Sequence, residues 1–375
     1  MLFLKPSLFS LFSPWRTNFM SSQETIFLTG FPGFIAARLI EELARGGARF
    51  LLLVQPAFVS RARAEIARLA AETGAGAERF QIVEGDITRA RLGMSESEFE
   101  QARAETTVLF HLAAIYDLGV RRDAAMLVNV EGTRNVNEFA RAITRLGRYH
   151  YVSTCYVAGL RRGVIREDEL EHAAGFRNFY EETKYLAELE VERLKRELPV
   201  TIHRPAVVCG DSQTGETAKY DGIYYLIKYL RMWPGLLSLA NIGNRDVRLN
   251  VVPVDFVVAA MAALARDERA AGATVQLADP RPLTTAELFE TISHALAGRG
   301  SRVRLPKSLV RATLGLPLSE KLSKLPRVGV PYFFLEQTYD TTRAVQLLAP
   351  HGVSCPPFPA YVHALIDFVA CHPEL

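Results

Sequence analysis

Short apolar runs of strand length alternate with longer amphipathic segments of helix length from residue 25 onward. Six runs follow one another along the chain: TIFLT, ARFLLLV, RFQIVEG, TTVLFHL, RYHYVST and PVTIHRP. The predicted helices lie between them, over residues 33–46, 57–73, 121–146 and 179–197. Strands that are apolar throughout and are separated by helices form parallel sheets covered on both faces. The pattern therefore predicts an α/β fold of the doubly wound, Rossmann type.

The pattern loosens after Gly210 into a stretch rich in aromatic and turn residues. We therefore expect the Rossmann domain to comprise residues 23–210 plus about 245–275, the second piece being a strand end that leads into a buried helix. A smaller, mostly helical substrate-binding lobe is predicted from residues 211–244 plus 276–375.

The first 22 residues are apolar and aromatic, but Pro6 and Pro14 interrupt them. They are too short and too broken to span a bilayer, so we expect an extension that is disordered or rests at a membrane interface. The net charge of +3 gives no strong field for nucleic acid. The four cysteines lack a C-x-x-C spacing, which favours a reducing, cytoplasmic setting without a metal site.

Glycines mark the junction between the first strand and the first helix, where Gly30, Gly33 and Ala36 are spaced as G-x-x-G-x-x-A. Glycine at such a turn lets backbone amides approach a pyrophosphate, whose charge then meets the helix N-terminus. Ala36 is small enough for close packing of the helix on the strand. This junction predicts a dinucleotide cofactor contacted by five residues: Thr29, Gly30, Gly33, Phe34 and Ile35.

The end of the second strand bears on the choice between NAD and NADP. An NAD site needs an acidic residue there for the ribose hydroxyls, yet residues 49–60 contain neither Asp nor Glu. Arg61 and Arg63 follow, and a guanidinium could meet a 2′-phosphate. Either arginine could instead lie on a solvated helix face. The sequence therefore favours NADPH as the cofactor over NADH.

The ends of the third and fourth predicted strands carry further candidate cofactor contacts. Asp86, followed by Ile87, could hydrogen-bond the adenine amine or cap a turn. Ala113 would allow a nicotinamide ribose to approach the backbone closely. We expect His111 to be a packed strand-end histidine and not a functional group.

Hydroxyl groups end the fifth strand at Ser153 and Thr154, where α/β sheets bind ligands. On the following helix, Tyr180 and Lys184 are four residues apart and so share one face. Such a pair could be a plain surface contact. With a strand-end hydroxyl nearby, however, it can act on a carbonyl: Tyr180 would exchange the proton, Lys184 would lower the pKa of Tyr180 and hold the ribose, and Thr154 would hydrogen-bond the oxyanion.

Taken together, these motifs make the sequence similar to extended short-chain dehydrogenases/reductases. More narrowly, it resembles bacterial fatty acyl-CoA reductases and the related thioester-reductase and male-sterility domains. The stretches that carry the likeness are FLTGFPGFIA, GDIT, FHLAAIYDLG, NVEGTRNV, VSTCYVAG, YEETKYLAE, HRPAVVCGDSQTGETAKYDGIYY and RLNVVPVDFVVAAM. Gln55 departs from the family pattern, in which many relatives have arginine, and Ala36 stands in place of a third glycine.

The resemblance implies that Thr154, Tyr180 and Lys184 are the catalytic hydroxyl, the acid and the ribose-binding lysine. Ser153 is the alternative to Thr154. Arg204 and Pro205 would shape the cofactor floor. Asn129, by contrast, would be a structural helix residue.

The resemblance further implies NADPH-dependent reduction of a fatty acyl thioester to an aldehyde. Aromatic and aliphatic residues could line an acyl channel or belong to an ordinary core: Tyr220, Tyr224, Tyr225, Leu226, Tyr229, Leu230 and Trp233. A sugar-nucleotide epimerase or a hydroxysteroid-type dehydrogenase is the alternative enzyme, and a dinucleotide-sensing scaffold the non-enzymatic one. We expect a small-molecule thioester as partner, no nucleic acid, and a chain able to form a homodimer or contact a membrane peripherally.

Overall fold

The computed structural model describes residues 24–305 and 330–375, so the predicted N-terminal extension lies outside the described residues. Its centre is a parallel sheet of seven strands in the order β11-β7-β5-β4-β1-β2-β3. These strands are β1 (Thr25–Thr29), β2 (Arg49–Val54), β3 (Phe80–Glu84), β4 (Val108–His111), β5 (Arg148–Val152), β7 (Val200–Pro205) and β11 (Thr274–Leu277). The strand order reverses between β1 and β4, and ligands of doubly wound sheets bind beside such a reversal.

Helices cover both faces of the sheet, which confirms the predicted Rossmann-type architecture. The α-helices are α1 (Phe34–Ala44), α2 (Val59–Thr73), α3 (Glu96–Glu105), α4 (Arg122–Ala125), α5 (Gly132–Ala142), α6 (Phe179–Leu194), α7 (Ile223–Met232), α8 (Pro234–Leu237), α9 (Val254–Arg266), α10 (Thr285–Ala297), α11 (Thr342–Leu348) and α12 (Val362–Cys371). One apolar layer joins α1, α2 and α9 to the sheet. The other joins α3, α5 and α6 to it. Because both faces are buried, the strands need no polar side, which explains their continuous apolar runs.

All six predicted strands are present, and the structure adds a seventh, β11. It pairs in parallel with β7 from Thr274 to Leu277. The predicted domain boundary near residue 275 therefore falls inside a strand of the main sheet.

The helix predicted over residues 121–146 is interrupted. A π-helical stretch, Met126–Glu131, lies between α4 and α5. The helix ends at Ala142, because Ile143 has an extended backbone with φ −64° and ψ 122°. A π-helical turn widens the helix and is frequent at functional sites.

The C-terminal lobe is mostly helical, as predicted, and has its own apolar core built from α7, α10 and α12. Tyr224, Leu226 and Leu230 of the predicted acyl channel are buried in that core. Tyr220 and Tyr229 pack against its edge, and Trp233 is 67% exposed. Of the two alternatives for this block, an acyl channel or an ordinary core, the buried residues have the ordinary core packing.

Further short strands pair with one another outside the main sheet. They are β6 (Gly163–Ile165), β8 (Val207–Cys209), β9 (Ala240–Asn241), β10 (Val251–Pro253), β12 (Val303–Arg304) and β13 (Gln337–Tyr339). β13 pairs with β6 beside the carboxyl end of β5. The Glu167 carboxylate then accepts bonds from the backbone amides of Arg343 and Ala344 in the first turn of α11, at 2.6 and 3.1 Å. The last part of the chain thus returns to the Rossmann domain. Among the described residues, no helix is long and apolar enough to cross a membrane.

Candidate active site

The turn after β1 requires glycine at two positions. Gly30 has φ +97°, and a Cβ there would lie 2.8 Å from the backbone nitrogen of Ala113. A Cβ on Gly33 would lie 2.7 Å from the Gly30 carbonyl oxygen. Gly33 also precedes α1, whose first turn has no acidic side chain and no side-chain cap. The turn thus leaves backbone amides and the positive end of a helix dipole open to an anion, which fits a cofactor pyrophosphate.

The side chain of Thr29 does not reach the cleft. It is fully buried, hydrogen-bonds His111 Nδ1 at 2.8 Å and accepts a bond from the Ala113 amide at 3.2 Å. Its observed role is to tie the glycine turn to the end of β4, and it could meet a cofactor only through its backbone. Phe34 and Ile35, by contrast, are half-buried at the start of α1.

His111 is a packed residue, as the sequence predicted. Its second ring nitrogen contacts the Thr133 hydroxyl at 3.1 Å. Burial, assisted by the charge of Lys184, lowers the pKa of His111 to about 3. The imidazole is therefore neutral and holds the floor of the cleft together.

Arg61 and Arg63 lie near the start of α2. Both are exposed, on either side of the buried Ala62. Residues two positions apart on a helix point in different directions. Arg61 lies in the first turn of α2, nearer to the end of β2 than Arg63 is.

Asp86 and Ile87 lie at the end of β3. Asp86 Oδ1 accepts bonds from the amide and hydroxyl of Thr88, each at 2.8 Å, so the carboxylate caps a turn. Asp86 is nonetheless half-buried and faces solvent in part. Ile87 is buried, and its carbonyl accepts a bond from Asn135 at 2.7 Å. Only the backbone of Ile87 is free to meet a cofactor.

The structure brings Thr154 and Tyr180 together. Both are almost fully buried, and the Thr154 side chain lies close enough to the Tyr180 hydroxyl to affect its pKa. Thr154 Oγ1 accepts a bond from the Tyr156 amide at 3.2 Å. Burial raises the pKa of Tyr180, although the neighbouring Thr154 hydroxyl opposes the shift. Tyr180 is therefore a neutral phenol, which is the form that donates a proton.

Lys184 lies one turn beyond Tyr180 on α6. Its Nζ donates to the Tyr151 hydroxyl at 2.9 Å and to the Val152 carbonyl at 2.8 Å. Burial lowers the pKa of Lys184 to about 7, while the charge of Glu188 opposes that shift. The sequence predicted that Lys184 would lower the pKa of Tyr180; in the structure the ammonium is turned toward β5, and the Tyr180 pKa is raised.

Ser153 and Arg204 belong to a separate buried network. The Ser153 hydroxyl donates to the Glu188 carboxylate. Arg204 donates to Glu188 Oε1 through Nε at 2.8 Å and Nη2 at 2.5 Å. Ser153 is thus engaged and leaves Thr154 as the strand-end hydroxyl beside Tyr180. Arg204 stabilises α6 against β7 and does not form a cofactor floor, whereas Pro205 is the buried last residue of β7.

Tyr116, which the sequence analysis quoted without giving it a role, forms the outer wall of the site. Its ring packs edge-on against Tyr180 with centroids 5.1 Å apart. Burial and the nearby charge of Asp221 raise the pKa of Tyr116, and Lys219 places its ammonium 3.9 Å from the ring centroid. Tyr225, from the predicted channel, lies close enough to Tyr116 to interact with it electrostatically. The feature of the sequence that could have indicated this role is the place of Tyr116 shortly after HLAA, at the end of β4.

Asn129 supports the same wall from the π-helical turn. Its Oδ1 accepts a bond from the Ile115 amide at 2.8 Å, and its Nδ2 donates to the Thr183 hydroxyl at 3.0 Å. It therefore joins the segment before Tyr116 to helix α6. The predicted structural role of Asn129 agrees with these contacts.

A family model described as male sterility protein matches residues 28–261, which is more than half of the chain. The chain belongs to the male sterility protein family. The match begins within β1 and ends within α9, so it includes the glycine turn, Thr154, Tyr180 and Lys184.

Curated relatives of this male sterility family member carry reductase or synthetase names. Glycine betaine reductase ATRR of Emericella nidulans is 28% identical over 291 residues, covering 73% of this chain and 22% of the relative. Fatty acyl-CoA reductase wat of Drosophila melanogaster is 27% identical, covering 64% of this chain and 54% of the relative. The chain spans only 22%, 35% and 6% of the first three curated relatives, which are larger proteins.

Solved structures share the fold of this chain. The terminal R domain from the myxalamid PKS-NRPS biosynthetic pathway matches with a TM-score of 0.78 and 28% identity, covering 94% of this chain and 92% of that chain. A UDP-glucuronic acid 4-epimerase from Bacillus cereus matches with a TM-score of 0.64 at 18% identity, covering 92% of this chain and 99% of that chain, and that likeness shows the fold alone.

Proposed function

We propose that this protein reduces an acyl thioester to an aldehyde with NADPH as the hydride source. The observation that carries the proposal is that Thr154 and Tyr180 lie together at the carboxyl edge of the sheet, beside a glycine turn that leaves room for a pyrophosphate. The family's reductases and the similarity to a terminal R domain support the thioester as substrate. A fatty acyl-CoA and a carrier-bound thioester are both members of that class.

The residues present fit a nicotinamide dinucleotide. Gly30, Gly33 and the first turn of α1 would hold the pyrophosphate, with Phe34 and Ile35 packing beside it. Asp86, through its other carboxylate oxygen, and the Ile87 backbone would meet the adenine. Ala113, Tyr180, Lys184 and Pro205 would surround the nicotinamide ribose. When bound, this cofactor supplies a hydride to the substrate carbonyl.

The chain's own groups would manage the charge and the proton. Thr154 and Tyr180 would donate hydrogen bonds to the thioester oxygen and stabilise the negative charge that develops on it. Loss of the thiol from the tetrahedral intermediate would then leave the aldehyde. Lys184, with a pKa of about 7, is an ammonium in a large fraction of molecules at neutral pH and can turn from Tyr151 to a ribose hydroxyl.

A preference for long acyl chains no longer has support from the aromatic block, since Tyr224, Leu226 and Leu230 are core residues. Tyr225 on α7 lies close enough to Tyr116, which forms the outer wall of the site, to interact with it electrostatically. We therefore leave the acyl group open within the thioester class, and a fatty acyl group is one member of the panel that tests it.

Mixing the purified protein with NADPH and a panel of acyl-CoA esters, from short to long, tests this function. We expect NADPH oxidation, thiol release and aldehyde formation in equal amounts for at least one ester. The free acid should be inert, because a carboxylate offers no comparable leaving group. Turnover of a sterol or a nucleotide sugar without thiol release would assign the protein to the alternative dehydrogenase class, and thiol release without aldehyde would indicate hydrolysis.

Cofactor preference gives a second test. We expect the wild-type protein to bind NADPH more tightly than NADH, because the end of β2 carries no carboxylate. Arg61→Ala should weaken NADPH binding by roughly 1.5–3 kcal/mol, the contribution of a charge-assisted hydrogen bond, and leave NADH binding unchanged. Arg63→Ala, farther from the end of β2, is the matched control and should change neither affinity. Equal dissociation constants of the wild type for both cofactors would exclude NADPH selectivity.

A further inference from the structure

Tyr332 connects the two elements that hold the reactive hydroxyls. It lies in a 3-10 turn, Val330–Phe334, 151 residues beyond Glu181 in the chain, and is buried. On one side its hydroxyl donates to Glu181 Oε1 at 2.6 Å and accepts a bond from Asn178 Nδ2 at 2.9 Å. Both partners lie at the start of α6: Asn178 is its N-cap, two residues before Tyr180, and Glu181 directly follows Tyr180.

On its other side Tyr332 contacts the segment of Thr154. Its ring lies 4.8 Å from the ring of Tyr156, centroid to centroid. The Tyr156 amide in turn donates to Thr154 Oγ1 at 3.2 Å. One side chain from the C-terminal part of the chain therefore touches both supports of the Thr154–Tyr180 pair.

The contacts around Tyr332 fix its ring firmly. The guanidinium of Arg177 lies 4.6 Å from the ring centroid and also pairs with the fully buried Glu181. Gln337, five residues further on, donates through Nε2 to the carbonyls of Gly159 and Arg161 at 2.9 and 2.6 Å. The segment is thus anchored to the loop that follows Thr154, independently of the Tyr332 hydroxyl.

We propose that Tyr332 is a positioning residue that sets the distance and orientation of Tyr180 relative to Thr154. The Glu181 carboxylate is adjacent to Tyr180 and raises its pKa, and Tyr332 supplies one of the donors that hold that carboxylate in place. Loss of the donor would let the first turn of α6 shift. A displacement of about 1 Å in a catalytic group can cost about a hundredfold in rate.

The test compares Tyr332→Phe with the wild type in the reductase assay, and in that respect it rests on the proposed function. Phenylalanine keeps the ring contacts with Tyr156 and Arg177 and removes only the hydroxyl. We expect kcat to fall about tenfold to a hundredfold, with KM for the carbonyl substrate and the NADPH affinity nearly unchanged. The pH profile of kcat should also shift, because the charge of Glu181 beside Tyr180 is held differently.

Two comparisons separate positioning from a general loss of stability. Tyr361→Phe is the matched control: Tyr361 is buried in the apolar core of the C-terminal lobe and donates to the Val251 carbonyl at 3.2 Å. It should lower the melting temperature without changing kcat or its pH profile. In a Glu181→Gln background, Tyr332→Phe should have a much smaller effect on kcat, because the two groups act through one contact.

If the wild type reduces a different carbonyl compound and no thioester, the proposed function is wrong. The role of Tyr332 is then tested with that other substrate, and the same changes in kcat and pH profile are expected. If it reduces none, NMR of ring-labelled tyrosine gives a reading without turnover. The Tyr180 signal, assigned through Tyr180→Phe, should move in Tyr332→Phe and stay in Tyr361→Phe. A Tyr332→Phe protein with wild-type kcat, pH profile and Tyr180 signal would overturn the proposal.

Discussion

Tyr180→Phe is expected to abolish turnover while the protein still binds its cofactor. The ring and its edge-on contact with Tyr116 survive the substitution, and only the hydroxyl beside Thr154 is removed. General acid catalysis contributes typically ~10²–10⁴-fold, so the loss in kcat should be of that order. Stopped assays of NADPH oxidation give the rate, and titration of cofactor fluorescence gives the affinity.

Tyr185→Phe provides the matched control on the same helix. The Tyr185 hydroxyl accepts a long 3.4 Å bond from the His172 amide and lies on a different face of α6 from Tyr180. Its removal should leave kcat within a factor of about two. Substitutions away from well-packed cores and buried polar networks usually have small effects on a protein. A Tyr180→Phe protein that keeps most of the wild-type rate would remove Tyr180 from the mechanism.

The sheet was predictable because burial on both faces leaves a strong signal. Six strands are long apolar runs, and each was placed correctly. β11 was missed because it has only four residues, Thr274–Leu277, and two of them are polar. Thr274 and Gln276 are nonetheless buried. Distant partners satisfy the polar groups of Gln276: its backbone amide donates to the Glu167 carboxylate at 2.9 Å, and its side-chain amide donates to the Ile165 carbonyl at 3.0 Å. A contact with a residue more than a hundred positions away leaves no trace in the local pattern.

The candidate site was predictable where chemistry depends on a strand end or on helical spacing. The glycine turn, Thr154 and the Tyr180–Lys184 pair are of this kind, and the structure places them along one edge of the sheet. The sequence left an acyl channel and an ordinary core open, because an apolar stripe on α7 has the same period whether it faces a ligand or a core. Tyr332 could not be found from sequence, because its role depends on the return of the C-terminal segment to α6.

The same limit applies to Glu188 and Arg204, whose pairing shows only in three dimensions. They come from α6 and β7, and neither side chain is more than 2% exposed. Arg204 also donates to the Glu167 and Glu169 carbonyls at 3.4 and 3.1 Å. Removing one member of such a buried pair is costly, because the remaining charge has neither water nor a counter-ion.

Arg204→Met is therefore expected to destabilise the protein by about 3–5 kcal/mol, a large part of the ~5–15 kcal/mol that stabilises a typical domain. Methionine fills most of the arginine's volume, so the loss reflects the charge and its hydrogen bonds. The midpoint of urea unfolding, followed by circular dichroism, measures the change. Arg193→Met, on the exposed face of α6, is the control and should stay within about 0.5 kcal/mol of the wild type.

Adding Glu188→Leu to Arg204→Met should restore much of the lost stability, because an apolar pair of similar volume often replaces a buried ion pair without penalty. Activity should not return with it. The charge of Glu188 opposes the effect of burial on Lys184, so its removal lowers the Lys184 pKa further below about 7 and leaves a neutral amine at neutral pH. A double variant that regains stability but binds NADPH weakly, with affinity recovering as the pH falls, would show that Glu188 serves both the fold and the lysine. A single Arg204→Met variant as stable as the wild type would instead mean that the buried pair contributes little to the stability of the fold.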